Sequence, residues 1–142
     1  MAMKIFLYLL LLVFSLVSCN TERKEYAEKV LSMDKRIIEH INEYYLLHSN
    51  LEKGDISKGE YESHRKKAVL INQDMEMVLL SRYTEPYITE QFKKMNEIIF
   101  LELALKWEEP DCVDNESVHK VVSPIYLSYK LSISDKIKSV IK

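Results

Sequence analysis

Residues that break helices or cross-link chains are scarce in this sequence. Its 142 residues include only two glycines, three prolines and two cysteines. Both glycines lie close together, at 54 and 59, so the chain has little material for the glycine-rich loops that cradle phosphates or build many active sites. Abundant Glu, Lys, Leu, Ile and Met with few breakers favour long helices instead. The composition therefore predicts an all-α fold.

An excess of basic charge is also missing. Twenty Lys and Arg residues stand against 22 Asp and Glu, and the two signs are interspersed as on an ordinary solvated surface. Nucleic-acid binding would call for a basic face, so we expect none. The sequence has no G-x-S-x-G, H-E-x-x-H or Cys-x-x-Cys motif, and no nucleophile–base pair is evident. We therefore expect a protein that is not an enzyme.

An apolar run opens the chain. Lys4 is the only charged residue before Glu22, and residues 5–17 are dominated by leucine and other apolar side chains. A basic start followed by such a run is typical of a cleavable signal peptide. A membrane-spanning helix needs about 20 apolar residues, and this run is shorter. A retained anchor helix is therefore only the alternative. We predict removal of residues 1–18 and a single mature domain over 19–142.

The end of this run carries a more specific pattern. Residues 16–19 read Leu-Val-Ser-Cys, which resembles the lipobox of bacterial lipoproteins. The resemblance implies cleavage before Cys19, a diacylglycerol on its thiol and an acyl chain on its new amine. Several acyl chains anchor stably where one gives only marginal binding. The protein is thus expected to be exported and lipid-anchored in the cell membrane or the outer membrane. Asn20 favours the outer membrane, because an Asp there favours inner-membrane retention in enterobacterial lipoproteins.

Cys112 is the only other cysteine. With Cys19 lipidated, Cys112 is either a free thiol or the site of an intermolecular bridge. Reactive cysteines need an electropositive setting, whereas Asp111 and Asp114 flank this one with negative charge. An inert thiol is therefore the favoured interpretation.

A long helix is predicted after the leader, from about residue 22 to residue 52. Apolar side chains recur there at alternating steps of four and three, the pattern of a helix buried along one face. The stripe comprises Tyr26, Val30, Met33, Ile37, His40, Tyr44, Leu47 and Leu51. Since His40 lies within this stripe, we interpret it as a core or boundary histidine rather than a ligand.

Three further helices have start signals. Residues 57–60 have the capping-box form Ser-x-x-Glu, so the second helix is predicted from about Lys58 to Arg82. Proline is tolerated in the first turn of a helix, so the third begins at about Pro86 and stops by Pro110.

The fourth helix is predicted to start at Ser123 and Pro124, after a short helical piece over 115–121. Residues 125–133 also alternate as a strand would, but the chain holds no second good strand to pair with. Helix is favoured, with an intermolecular strand as the alternative. Short connections then predict a small up-down bundle of three to four helices after the cleaved signal peptide.

His48 and His64 are candidate metal ligands in this arrangement. Helices that run antiparallel about a turn near residue 56 would bring His48 and His64 to one level, with Glu52 and Glu60 one turn nearer the loop. Two imidazoles and two carboxylates suit zinc, and iron or manganese less well. No ligand-spacing motif supports such a site, so we interpret these as surface or boundary residues and assign no metal.

The third helix is apolar nearly all round near its end. Glu102 lies in this stretch, and we interpret it as a rim carboxylate paired with Lys106; burial with a raised pKa is the alternative. If part of the stretch is exposed, Phe100, Leu103 and Trp107 are the expected partner surface, since aromatic anchors dominate interfaces.

These patterns predict a small all-α lipoprotein that binds a protein partner at the bacterial envelope. Immunity or exclusion proteins, inhibitors and assembly accessories have this form. The alternative is a helical bundle that binds a small ligand or a metal ion.

Overall fold

The computed structural model describes residues 2–104 and 115–142, with the side chains of Tyr8 and of residues 20–104 and 116–142. The helices are α1 (Ala2–Glu52), α2 (Lys58–Leu79), α3 (Pro86–Leu103), α4 (Asn115–Ser128) and α5 (Ser134–Ile141), with a π-helical segment, Tyr129–Ile133, between the last two. The all-α prediction is confirmed, and no strand occurs in the described ranges. The strand alternative for 125–133 is therefore wrong.

The first helix is longer than predicted. We expected a start near residue 22, but α1 begins at Ala2 and runs for 51 residues. Leucine-rich segments form helix readily, and neither Gly nor Pro occurs before Gly54, so nothing stops the helix between the leader and the bundle. Among the described residues, no helix combines the length and apolarity that crossing a membrane requires.

The connections follow the predicted chemistry. Gly54 ends α1 with a φ of 73°, a conformation that favours glycine. The Ser57 side chain accepts a hydrogen bond from the Glu60 amide, and the Glu60 carboxylate accepts one from the Ser57 amide, so the capping box is confirmed. Helix α2 ends at Leu79, three residues before the predicted Arg82.

The last helix differs from its predicted start. We expected Ser123 to cap a new helix, but α4 begins at Asn115 and continues through Pro124. The change of geometry comes later, in the π-helical segment. Tyr129 and Ser134 are both buried although they are five residues apart, one more than a regular helix repeat allows on one face. As a result Ser134 is buried in the core, and Ile133 packs against it partly buried.

The helices close into an up-down bundle. Helix α1 packs on α2, α2 on α3, α3 on α4, and α5 returns to α1. Cross-helix contacts give the directions: Arg36 meets Asp74 and Glu43 meets Lys67, so α1 and α2 are antiparallel. The π-helical segment joins α4 and α5 into one continuous helical unit. The described residues therefore form a four-helix bundle, within the predicted three to four helices. The buried core comprises Tyr26, Val30, Met33, Ile37, Ile41, Tyr44, Ala68, Ile71, Met75, Val78, Ile88, Phe92, Met95, Ile99, Val118, Val122, Tyr126, Tyr129 and Ile137.

Candidate functional site

Glu102 of α3 is the centre of a buried polar cluster. Its side chain is only 5% exposed and receives hydrogen bonds from three other helices. His40 Nε2 donates at 2.8 Å to one carboxylate oxygen, His64 Nε2 donates to the other, and the Tyr126 hydroxyl also donates. The rim position that we predicted for Glu102 is therefore wrong, and Lys106 lies outside the described residues. The physical reason is that Glu102 continues the buried stripe of α3, one turn after Ile99.

The two histidines lie against each other over this carboxylate. Their rings are nearly parallel, with centroids 4.3 Å apart and an interplanar angle of 9°. His64 Nδ1 lies 3.1 Å from a carboxylate oxygen of Glu43, which also pairs with Lys67 at the surface. His40 Nδ1 is buried and has no hydrogen-bond partner among the described residues.

The charges of this cluster are coupled. Burial by itself would raise the pKa of Glu102, but hydrogen bonds and positive charge from His40 and His64 lower it to about 2. Burial opposes protonation of His64, yet its contacts with Glu102 and Glu43 raise its pKa. Burial and the neighbouring carboxylate raise the pKa of Tyr126, which stays a neutral donor. A carboxylate, not a carboxylic acid, thus occupies the middle of the bundle.

A second layer of rings lies beside the first. His48 and His119 have centroids 3.6 Å apart, and the Tyr44 hydroxyl lies 2.8 Å from His119 Nδ1. Burial raises the pKa of Tyr44, so it acts as the donor and His119 as the acceptor. Burial and His119 lower the pKa of His48. The edge of the Tyr126 ring contacts both Tyr44 and His40, so all four histidines of the chain share this end of the bundle.

The predicted His48 and His64 fall in different layers. His64 lies against His40, and His48 lies against His119. Glu60 caps α2 with Ser57, and Glu52 is exposed at the end of α1. Phe100 is 69% exposed, as a partner surface requires, and Leu103 is partly buried. Trp107, Cys112 and the side chain of Cys19 lie outside the described residues, so their predicted roles stay predictions.

Three residues could share a cation. His64 was among the sequence-based candidates, but its grouping with His40 and Glu43 was not predicted. Ligand atoms of His40, Glu43 and His64 all lie within 4.8 Å of one another. His40 and Glu43 line a surface cavity of about 200 Å³ between α1 and α2. The rest of its lining is Arg36, Glu39, Lys67, Leu70 and Ile71. Imidazole nitrogen and carboxylate oxygen are both atoms that can act as ligands of a transition-metal cation.

A separate buried carboxylate holds the π-helical segment. Asp34 of α1 is 2% exposed and accepts hydrogen bonds from the Tyr129 hydroxyl and from Ser134 Oγ, both at 2.8 Å. Lys138 Nζ lies 3.7 Å away. Because Asp34 has partners for both carboxylate oxygens, we interpret this cluster as structural.

Comparisons with protein-family models, with curated proteins and with solved structures find no match to this chain.

Proposed function

We propose that this chain is a lipid-anchored binding protein of the bacterial envelope, and that the cluster around His40 is its ligand-binding site. The lipobox-like residues 16–19 support the anchor and the export. The binding role rests on one observation: His40 Nδ1 is buried, has no partner among the described residues and belongs to a ring that lines the cavity. A buried polar atom without a partner costs about 1–3 kcal/mol, which a ligand would recover.

The cluster supports binding better than catalysis. Glu102 accepts hydrogen bonds from both His40 and His64, which fixes the two rings and presents His40 to the cavity. Its low pKa keeps it from acting as a proton donor at neutral pH. The cluster thus combines ring positions fixed by hydrogen bonds with a permanent negative charge on Glu102, which favours binding of a ligand over proton transfer.

A protein partner is the second candidate, favoured by exposed apolar side chains. Phe100 is 69% exposed, and Val121, Leu127 and Leu131 are exposed on the fourth member of the bundle. Large exposed apolar side chains of this kind mark interfaces when they adjoin one another. This candidate predicts that Phe100→Ser abolishes a specific envelope crosslink that Glu43→Gln leaves intact.

Mass spectrometry tests the proposal. The protein is purified from its native membrane fraction and weighed under denaturing and under native conditions, beside a Cys19→Ser variant. We expect a mature mass with diacylglyceryl and acyl additions that the variant lacks, and an additional bound mass that appears only under native conditions. A full-length mass without lipid would refute the anchor. Equal masses under both conditions would refute a bound ligand.

A further inference from the structure

The contact between His64 Nδ1 and the Glu43 carboxylate requires a positive charge between the two atoms. Since a carboxylate only accepts hydrogen bonds, His64 must use its Nε2–H to reach Glu102. A neutral imidazole would then have a lone pair at Nδ1, which faces a Glu43 carboxylate oxygen 3.1 Å away. Two acceptors at that distance repel each other. A positive charge must therefore lie between them, either a proton on Nδ1 or a bound cation.

His40 presents the same lone pair. Its Nε2–H is used by Glu102 at 2.8 Å, so the neutral ring has a free acceptor at Nδ1. That atom is buried and lacks a partner in the described part of the chain. A lone pair in this position is the donor that a metal ion uses, and a proton there would bring a second positive charge into the stacked pair.

We propose that the site binds a divalent transition-metal ion, zinc before others, through Nδ1 of His40, Nδ1 of His64 and the carboxylate of Glu43. This inference rests on the proposed function, because it names the ligand of the same site. Two imidazoles and one carboxylate form a common zinc donor set. Calcium and magnesium are disfavoured, since they prefer oxygen ligands.

The hydrogen bonds around the two histidines are those commonly found around metal-binding histidines. Histidines that bind metals usually donate their other ring N–H to a carboxylate, which fixes the tautomer and the ring orientation. Glu102 does this for both rings at once. Its fixed negative charge also offsets the charge of the ion in a buried setting, and Tyr126 completes its hydrogen bonding.

The geometry needs a small closure. Zinc lies about 2.0–2.2 Å from its ligands, so tetrahedral donors are about 3.4 Å apart, against the present limit of 4.8 Å. Glu43 can move toward the rings, because its side chain is 32% exposed and its partner at the surface, among the described residues, is the flexible Lys67. One imidazole must also turn, because the two rings are nearly parallel and their in-plane lone pairs do not meet at one ion. The cavity between α1 and α2 provides the entry path and leaves the fourth coordination position open to water.

The test is zinc titration of the full chain, purified in detergent and stripped with EDTA, by isothermal calorimetry. We expect one zinc ion per chain. Glu43→Gln should weaken binding by more than about 100-fold, since loss of outer-sphere partners alone costs about 10–100-fold. Glu39→Gln is the matched control. It removes a carboxylate one turn earlier on α1 that lines the same cavity, and it should leave affinity unchanged.

Circular dichroism of both variants separates loss of a ligand from loss of the fold, since Glu43 is partly exposed and its replacement should leave the bundle intact. Titration in buffers of different ionisation enthalpy gives a second readout: zinc should release a proton from the histidine pair. Failure to bind zinc, or equal weakening by Glu43→Gln and Glu39→Gln, would overturn the proposal in favour of a protonated His64.

The two proposals fail differently. A native preparation that carries a bound organic mass but takes up no zinc would remove the metal inference and keep the site as a binding site. A native preparation with no bound mass that also takes up no zinc would remove both.

Discussion

Replacement of Glu102 by Gln is the most direct perturbation of this bundle. The amide keeps the shape of the carboxylate but removes its charge. Its NH2 group is a donor, and it would face groups that now donate to Glu102. Those donors are His40 Nε2, His64 Nε2 and the Tyr126 hydroxyl. At least one of them must lose its hydrogen bond or change tautomer. We therefore expect Glu102→Gln to lower the free energy of unfolding substantially.

Two independent arguments give the expected loss in the free energy of unfolding. Removing one partner from a buried ion pair costs about 3–5 kcal/mol. Separately, the pKa of Glu102 falls from its ordinary 4.5 to about 2 on folding. At about 1.4 kcal/mol per pKa unit, this corresponds to about 3 kcal/mol of stability. Because the folded pKa is the lower one, this contribution is complete above pH 4.5 and is lost as the pH falls through 2.

Urea unfolding followed by circular dichroism measures both effects on metal-free protein. At pH 7 the variant should be about 3 kcal/mol less stable than the wild type. Between pH 4.5 and 2 the difference should shrink, since the wild type loses the charge that the variant never had. Glu97→Gln, an exposed carboxylate on the same helix, is the control and should match the wild type within about 0.5 kcal/mol. A loss below about 1 kcal/mol at pH 7, or a difference that does not change with pH, would refute the interpretation.

Three other substitutions test separate parts of the fold by the same unfolding measurement. Asp34→Ala removes the acceptor of Tyr129 and Ser134 and should cost about 3 kcal/mol, because hydrogen bonds to charged groups contribute about 1.5–3 kcal/mol each; a neutral result would mean that Asp34 does not hold the π-helical segment. Ser57→Ala breaks the capping box and should cost about 1 kcal/mol, with no effect expected if α2 starts elsewhere. Phe100→Ser should change stability by no more than about 0.5 kcal/mol, because the ring is 69% exposed; a larger loss would show that it is buried.

The helix starts could be predicted because short-range chemistry determines them. The Ser57–Glu60 capping box and Pro86 act within one turn, and both prediction and structure place the starts of α2 and α3 there. The start of α4 could not be predicted in this way. Ser123 and Pro124 have the form of a start signal, but the preceding residues already pack as helix, with Val118 and Val122 in the core. Tertiary packing overrode the local signal.

The site was only partly predictable. Each core stripe carries one polar residue at the same level, namely His40, His64, Glu102 and the hydroxyl of Tyr126. We identified the α1 stripe and placed His40 on it, but judged Glu102 from its sequence neighbours rather than from its stripe. Periodicity shows which face a residue occupies, whereas the level at which two helices meet depends on their packing. For that reason His64 lies against His40, about two turns away from the predicted His48.

The length of α1 has a consequence for the surroundings of the histidines. His40 follows Cys19 by 21 positions, so at about 1.5 Å per residue the two lie about 30 Å apart along one helix. With lipid on Cys19 and the helix upright, the site stands three to four Debye lengths above the headgroups at physiological ionic strength, where that length is about 8 Å. The surface potential of the membrane has decayed at that height. His40 and its neighbours would then sample the ion concentrations and the pH of the open compartment, not those of the lipid surface.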